Sequence, residues 1–244
     1  MNELDFTGQT VLVVGGSSGI GCGMAQAFRA KGADVHVWGT RASAADYQGQ
    51  DGSDLSGLTY AQMDVSDFAA IEAYKPPFSK LDVLILSQGT VIYQKGEFNM
   101  TGFQTVMDVN LNSLMACALK FHPMLAASKG ALITVSSTAA FHSTRGNPAY
   151  NASKTGAVGL TRTLAEAWAK DGIRVNGIAP GLVDTKLTKV TTEHPDRLAA
   201  SLQGIPMRRL GTPADMAGVA LFLASPLSAY VLGQTIPVDG GLIL

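Results

Sequence analysis

Seven short apolar runs, alternating with stretches of helical periodicity, limit what this chain can fold into. They are TVLVV (10–14), DVHVW (34–38), LTYAQMD (58–64), LDVLIL (81–86), ALITVS (131–136), IRVNGIA (173–179) and QTIPV (234–238). Between them IGCGMAQAFRAKG, TGFQTVMDVNLNSLMACALKFHPMLAA and PAYNASKTGAVGLTRTLAEAWAKDG carry apolar residues at helical spacing. Strands that are apolar on nearly every residue are buried on both faces, as in parallel sheets closed by helical crossovers. The expected class is therefore α/β, a doubly wound parallel sheet with helices on both faces. A content of 46% hydrophobic and 15% charged residues suits such a buried sheet and excludes a disordered chain.

No linker separates two domains, so residues 1–244 read as one unit. Residues 42–57, ASAADYQGQDGSDLSG, read as a surface loop where a longer α/β unit carries a helix. Residues 183–210 mix Thr, Lys, Pro and Arg and read as an irregular flap on the ligand-binding edge of the sheet. Thr212-Pro213-Ala214-Asp215 reads as a helix start, and Pro148 as a first-turn proline. A net charge of −1 gives no reason to expect a nucleic-acid or anionic-membrane partner. No apolar run is long enough to span a bilayer and no leader pattern opens the chain, so a cytoplasmic location is the expectation. Cys22 and Cys117 lie far apart without a Cys/His cluster, which predicts two packed thiols and no metal site.

The first strand runs straight into VVGGSSGIGCG. Glycines there permit a tight turn, and the following helix N-terminus offers N–H donors and a positive dipole end to a phosphate. Gly15, Ser17, Ser18, Gly19, Ile20 and Gly21 are thus candidate dinucleotide contacts. The second strand ends in Gly39-Thr40-Arg41. A carboxylate there would hold a ribose diol, whereas Thr40 and Arg41 suit a 2′-phosphate. NADP(H) is the preferred cofactor on this reading, with NAD(H) left open because no basic residue stands inside the glycine turn.

In NPAYNASKTG, Tyr150 and Lys154 stand one helical turn apart. An ammonium beside a phenol favours the phenolate, so this pair can give and take protons. Taken with the glycine turn, the chain resembles the short-chain dehydrogenase/reductases over its full length. Ser137 lies thirteen residues before Tyr150, and Asn110 in VMDVNLNS matches the family's asparagine. APGLVDT (179–185) resembles the segment that lines the nicotinamide, DVSD (64–67) the one beside the adenine, and PVDGG the usual ending. The resemblance implies a Rossmann-type fold with Tyr150 as acid/base. It further implies that Lys154 lowers the Tyr150 pKa and holds a ribose, Ser137 polarises the substrate oxygen, and Asn110 positions a proton-relaying water. Asp64, Val65, Gly89, Pro180, Gly181, Val183 and Thr185 become implied cofactor contacts, together with Tyr150 and Lys154.

The chain departs from the family in two places. Val14 replaces the usual threonine, and Leu86-Ser87-Gln88-Gly89 replaces N-N-A-G. Replacing both polar partners by apolar ones is nearly neutral, so Val14 and Leu86 are expected to form one repacked contact. Gln88 reaches either into the site or away toward the flap. Candidate substrate contacts are Gln88, Tyr93, Thr138, Phe141, His142, Leu182, Leu187 and Met207, mostly apolar or aromatic. They favour a neutral, hydrophobic ketone or secondary alcohol. A 3-oxoacyl-acyl-carrier-protein reductase is the alternative within the family, although Lys129, Arg145, Lys186, Lys189, Arg208 and Arg209 are scattered. A non-catalytic dinucleotide sensor is the alternative of another class. Relatives imply a homotetramer or homodimer built through the long helices, with the apolar GGLIL tail covered.

Overall fold

The computed structural model describes residues 3–244. Seven strands form one wholly parallel sheet: β1 (Thr10–Val14), β2 (Asp34–Gly39), β3 (Thr59–Gln62), β4 (Val83–Leu86), β5 (Ala131–Val135), β6 (Arg174–Pro180) and β7 (Thr235–Val238). Their order is β3-β2-β1-β4-β5-β6-β7. All seven fall on the apolar runs. Helices α1 (Gly19–Ala30), α2 (Phe68–Ala73), α3 (Met100–Met107), α4 (Ser113–Ser128), α5 (Pro148–Trp168), α6 (Lys189–Thr192), α7 (Pro195–Gly204) and α8 (Pro213–Ala224) complete the fold.

Side chains alternate across a strand, and both sets are apolar here. Val11, Val13, Val83 and Ile85 pack on one face against Met24 and Phe28 of α1 and Met216 and Ala220 of α8. Leu12, Val14, Leu84 and Leu86 pack on the other face against Leu114 and Phe121 of α4 and Leu164 of α5. The chain moves outward from β1 through β3, then returns to start β4 on the other side of β1. A crevice opens where the order reverses, at the carboxyl ends of β1 and β4. The glycine turn and residues 87–89 both leave the sheet there.

Three expectations need correction. The 42–57 segment is not all loop, because Ala44–Tyr47 forms a 3₁₀ turn capped reciprocally by Ser43 and Asp46. The 183–210 flap is largely helical: a short turn at Lys186–Thr188 leads into α6 and α7. Pro195 begins α7, and β-branched residues mask the periodicity before it. The long helical stretch is broken by a π turn at Asp108–Asn112, so α3 and α4 are separate. The helix start expected at Thr212 is present and is closed by a capping box: the Thr212 Oγ1 accepts the Asp215 N–H at 3.2 Å, and the Asp215 carboxylate accepts the Thr212 N–H at 2.7 Å. Cys22 and Cys117 are buried free thiols. No helix among the described residues is long and apolar enough to cross a membrane.

Val14 and Leu86 are register partners across β1 and β4, both fully buried in the same apolar cluster. A hydroxyl placed there meets only carbon. V14T is expected to destabilise the protein by about 1–3 kcal/mol, the cost of an unpaired buried hydroxyl. Chemical denaturation checks this, and a gain in stability would refute the repacked contact.

Candidate active site

One elongated cavity of about 380 Å³ runs from the glycine turn to the start of α5. Its walls include Gly15, Ser17, Ser18, Gly19, Ile20 and Gly21 at one end, and Gly89, Ser137, Tyr150 and Lys154 at the other. Thr40, Val65, Gln88, Pro180, Gly181, Val183, Thr185 and Leu187 also line it. The glycines are required by space. A Cβ on Gly21 would lie 2.2 Å from the Gly15 carbonyl oxygen, and Gly19 has φ +54°. Ser18 starts α1 without turning its own hydroxyl onto the helix. The Gly19 N–H is taken by the Gly52 carbonyl at 2.8 Å, so Ile20 and Gly21 carry the N–H groups of the first turn left for an anion. A narrow cleft ending on glycines and a helix N-terminus fits a dinucleotide.

The other end of the cavity is built around a buried ammonium. Lys154 is 4% exposed, and its Nζ donates to the Val135 carbonyl at 2.9 Å. Gly89 faces both groups closely: a Cβ there would stand 3.4 Å from that Nζ and 3.7 Å from Asn110 Oδ1, in van der Waals contact with each. Asn110 occupies the π turn, a feature frequent at functional sites. Its amide clamps residue 90: Oδ1 accepts the Thr90 N–H at 2.7 Å and Nδ2 donates to the Thr90 carbonyl at 2.9 Å. Ser137 follows β5 and its Oγ accepts the Ala139 N–H at 3.1 Å.

The electrostatics differ from the sequence expectation at one point. Burial raises the Tyr150 pKa above its ordinary value; the Ser137 hydroxyl opposes this, and the charges of Tyr93 and Glu97 add to it. Lys154 does not reverse the direction here. Its Nζ lies 5.7 Å from the Tyr150 ring centroid and is bonded to Val135, and burial brings its own pKa down to about 8. The ammonium form that would stabilise a phenolate is itself disfavoured by desolvation.

Several other candidates fall outside the cavity wall, while Gln88 stays on it. Arg41 is stacked on Tyr47, with its Cζ 4.8 Å from the ring centroid, and it donates to the Asp46 carbonyl. Asp64 is engaged by the N–H and hydroxyl of Ser66 at 2.9 and 2.7 Å, which leaves Val65 as that segment's lining residue. Gln88 turns inward, neither to the flap nor freely into the site, and donates to Ser113 Oγ at 2.9 Å. Leu182 and Met207 line a smaller neighbouring cavity of about 100 Å³. Thr138 is buried behind the wall, Phe141 is exposed, and His142 Nδ1 donates to the Ser143 carbonyl at 2.9 Å. Tyr93 reaches the flap, where its hydroxyl donates to the Leu187 carbonyl at 2.8 Å.

Sequence reasoning missed Trp38, Met63 and Lys186, which line the cavity, and Glu97 and Tyr47 behind it. Tyr47 is buried, and its oxygen accepts the Arg41 N–H at 3.3 Å. Burial pushes its pKa up, but hydrogen bonds from Ser17, Arg41, Tyr60 and Thr40 outweigh burial and lower it. No single-residue signal marks it; only the aromatic character of Tyr47 and Tyr60 could have suggested a platform.

A family model described as enoyl-(acyl carrier protein) reductase matches residues 14–243. A 3-oxoacyl-[acyl-carrier-protein] reductase of Chlamydia muridarum is 34% identical, over 99% of this chain and 100% of the relative. A 2-dehydro-3-deoxy-D-gluconate 5-dehydrogenase of Bacillus subtilis is 36% identical, over 98% of this chain and 96% of the relative. Among solved structures, the Pseudomonas aeruginosa RhlG/NADP active-site complex aligns with a TM-score of 0.91 and 30% identity, covering 100% of both chains.

The burial of Lys154 has a measurable cost. Between about pH 8 and the ordinary lysine value of 10.5, the unfolded chain holds a proton that the native lysine has released, so stability rises with pH across that window. K154M is expected to abolish this rise and to stabilise the apoprotein at pH 7 by about 1–2 kcal/mol, net of the lost bond to Val135. Denaturation at pH 7 and pH 10 tests both statements.

Proposed function

The chain belongs to the short-chain dehydrogenase/reductase family of oxidoreductases acting on CH–OH and C=O groups, and from that premise we propose its reaction. It transfers a hydride between NADP(H) and a neutral, hydrophobic ketone or secondary alcohol, with Tyr150 as proton donor and acceptor. The observation that carries this reading is the convergence of Tyr150, Lys154 and Ser137 at one end of a cavity whose other end is the glycine turn.

The dinucleotide supplies the hydride chemistry when bound, and the protein supplies position and a proton route. Ser17, Ser18 and the first turn of α1 receive its phosphates. Thr40 and Val65 line the adenosine end, with Arg41 reaching a 2′-phosphate by leaving its stack on Tyr47. Pro180, Gly181, Val183 and Thr185 line the nicotinamide end, and Lys154 holds the ribose. Ser137 donates to the substrate oxygen, aimed before charge develops there. Tyr150 delivers the proton to that oxygen in reduction and removes it in oxidation, while Asn110 holds the water that relays protons from Lys154. The NADP bound by the Pseudomonas aeruginosa relative supports the cofactor preference, and NAD(H) remains the comparison to make.

The substrate follows from the entrance. Tyr93, Phe141 and Leu187 present apolar surface there, and Lys186, the cation beside Leu187 on the cavity wall, gives its ammonium to Gln50. A second reading, reduction of 3-oxoacyl thioesters on an acyl carrier protein, is supported by the Chlamydia relative. It is weakened by the charges. Lys189 is paired with Glu193 at 2.9 Å and Arg209 with Asp215 at 2.8 Å, while Lys129 lies at the end of α4, before β5 begins. An acidic carrier protein thus meets few free cations. We also propose a homodimer or homotetramer through α4 and α5, supported by the exposed Leu119 on α4; the exposed Leu244 would gain its cover from another copy.

Titration with NADPH and NADH, followed by turnover on aryl ketones, diketones and 3-oxoacyl thioesters, tests the reading. Tight NADPH binding with ketone turnover is the expected result, and binding without any turnover would favour a dinucleotide sensor. Y150F should lower kcat by about 10²–10⁴-fold, the usual range for a lost general acid, and leave NADPH affinity within about twofold. R41A should reduce kcat/KM with NADPH about tenfold or more while sparing NADH.

A further inference from the structure

Glu97 is a buried carboxylate that the proposed chemistry does not use. It lies in a short turn (Gly96–Phe98) between the strand-end segment after β4 and α3, and is 1% exposed. No cation is paired with it among the described residues. Three N–H groups hold it instead. Oε1 accepts the Ile92 N–H at 3.1 Å and Asn147 Nδ2 at 3.2 Å, while Oε2 accepts the Tyr150 N–H at 2.9 Å.

The last bond places a carboxylate on the N–H of the third residue of α5, the helix that carries Tyr150 and Lys154. Asn147, the residue before that helix, makes no cap of its own and gives its amide to Glu97. The helix is therefore capped from a distant segment, with the carboxylate at the positive end of its dipole. The 90–97 segment turns sharply just before this contact. Gln94 and Lys95 both hold left-handed conformations, with φ +56° and +62°, which non-glycine residues keep only when their surroundings enforce it. The same segment carries Thr90, clamped by Asn110, and Tyr93, bonded to Leu187 of the flap. Glu97 thus stands where the substrate-side segment, the flap and the proton-transfer helix are tied together.

We propose that Glu97 is a positioning residue for Tyr150: its carboxylate docks the 90–97 segment on the N-terminus of α5, fixing the tyrosine and placing an acidic group beside it. This rests on Tyr150 being the proton donor. The groups facing Tyr150 are Glu97 and Tyr93 from the 90–98 segment, Ser137 from the end of β5 and Lys154 from its own helix. A negative charge at this distance disfavours the phenolate, in line with the raised pKa that burial already gives the phenol. Glu97 therefore keeps Tyr150 protonated to higher pH, the form that reduction needs.

The test is the pH dependence of ketone reduction by wild type, E97Q, E97D and Y150F, with NADPH binding measured alongside. Reduction fails as pH rises through the Tyr150 pKa. E97Q removes the charge, and the alkaline limb should move down by about half a pH unit or more, the scale of one nearby charge. Its kcat should fall about tenfold, because one amide cannot accept at both ends, while NADPH affinity stays within about twofold. E97D keeps the charge but cannot span to the Tyr150 N–H, so kcat should fall with the limb unmoved. An E97Q limb at its wild-type position would overturn the proposal. Should E97Q not fold, E97D decides: wild-type kcat in folded E97D would overturn it, and lowered kcat with intact NADPH binding supports it. Turnover surviving in Y150F would instead remove the premise about the proton donor.

Discussion

The structure of the active end depends on keeping one ammonium out of water. Removing Lys154 from solvent disfavours its charge, so its surroundings must supply compensation without filling the space in front of it. The Val135 carbonyl, at the end of β5, supplies one partner. Gly89, at the end of β4, supplies room. Asn110 supplies a polar neighbour whose own amide is fully occupied by Thr90 and Ser153, so it stays fixed. Three strand or helix ends thus meet at a single nitrogen.

Sheet order determines where that assembly can exist. Parallel strands direct all their carboxyl ends one way, and the reversal between β1 and β4 prevents their crossover segments from covering the same point. The glycine turn and Gly89 therefore border a crevice and not a packed seam. The apolar pairing of Val14 with Leu86 closes the sheet directly beneath it. That closure uses dispersion and apolar burial where a polar pair would use a hydrogen bond, although Trp38 Nε1 and Gln88 Oε1 at the cavity wall remain buried without a hydrogen-bond partner among the described residues.

How much of this was legible in the sequence depended on how local the cause was. Strands showed because burial on both faces forces a run of apolar residues, and the helix starts at Pro148 and Thr212 showed because a first-turn proline and a capping box are written within four residues. The glycine turn and the spacing of Ser137, Tyr150 and Lys154 showed for the same reason. The π turn did not, since one inserted residue in a helix leaves the apolar pattern almost unchanged. Gln88 was ambiguous because its direction is set by Ser113, a residue 25 positions away on α4. Glu97 was invisible for a stronger reason. A glutamate in a polar stretch reads as solvated, and nothing local says that Tyr150, 53 positions on, will turn its N–H toward it.

The two segments that depart most from regular structure meet across the cleft. Lys186 of the flap donates to Gln50 of the 42–57 segment at 2.5 Å, and Gly52 of that segment already occupies the first N–H of α1. The short 42–57 segment thus does two things that a long helix in its place would not. It narrows the phosphate end of the cleft by using one donor itself, and it gives the flap something to close upon. On the substrate side, Tyr93 bonds the same flap at Leu187, next to Lys186. The flap is consequently attached at neighbouring residues to both ends of the cavity, by one bond toward the adenosine side and one toward Glu97 and α5.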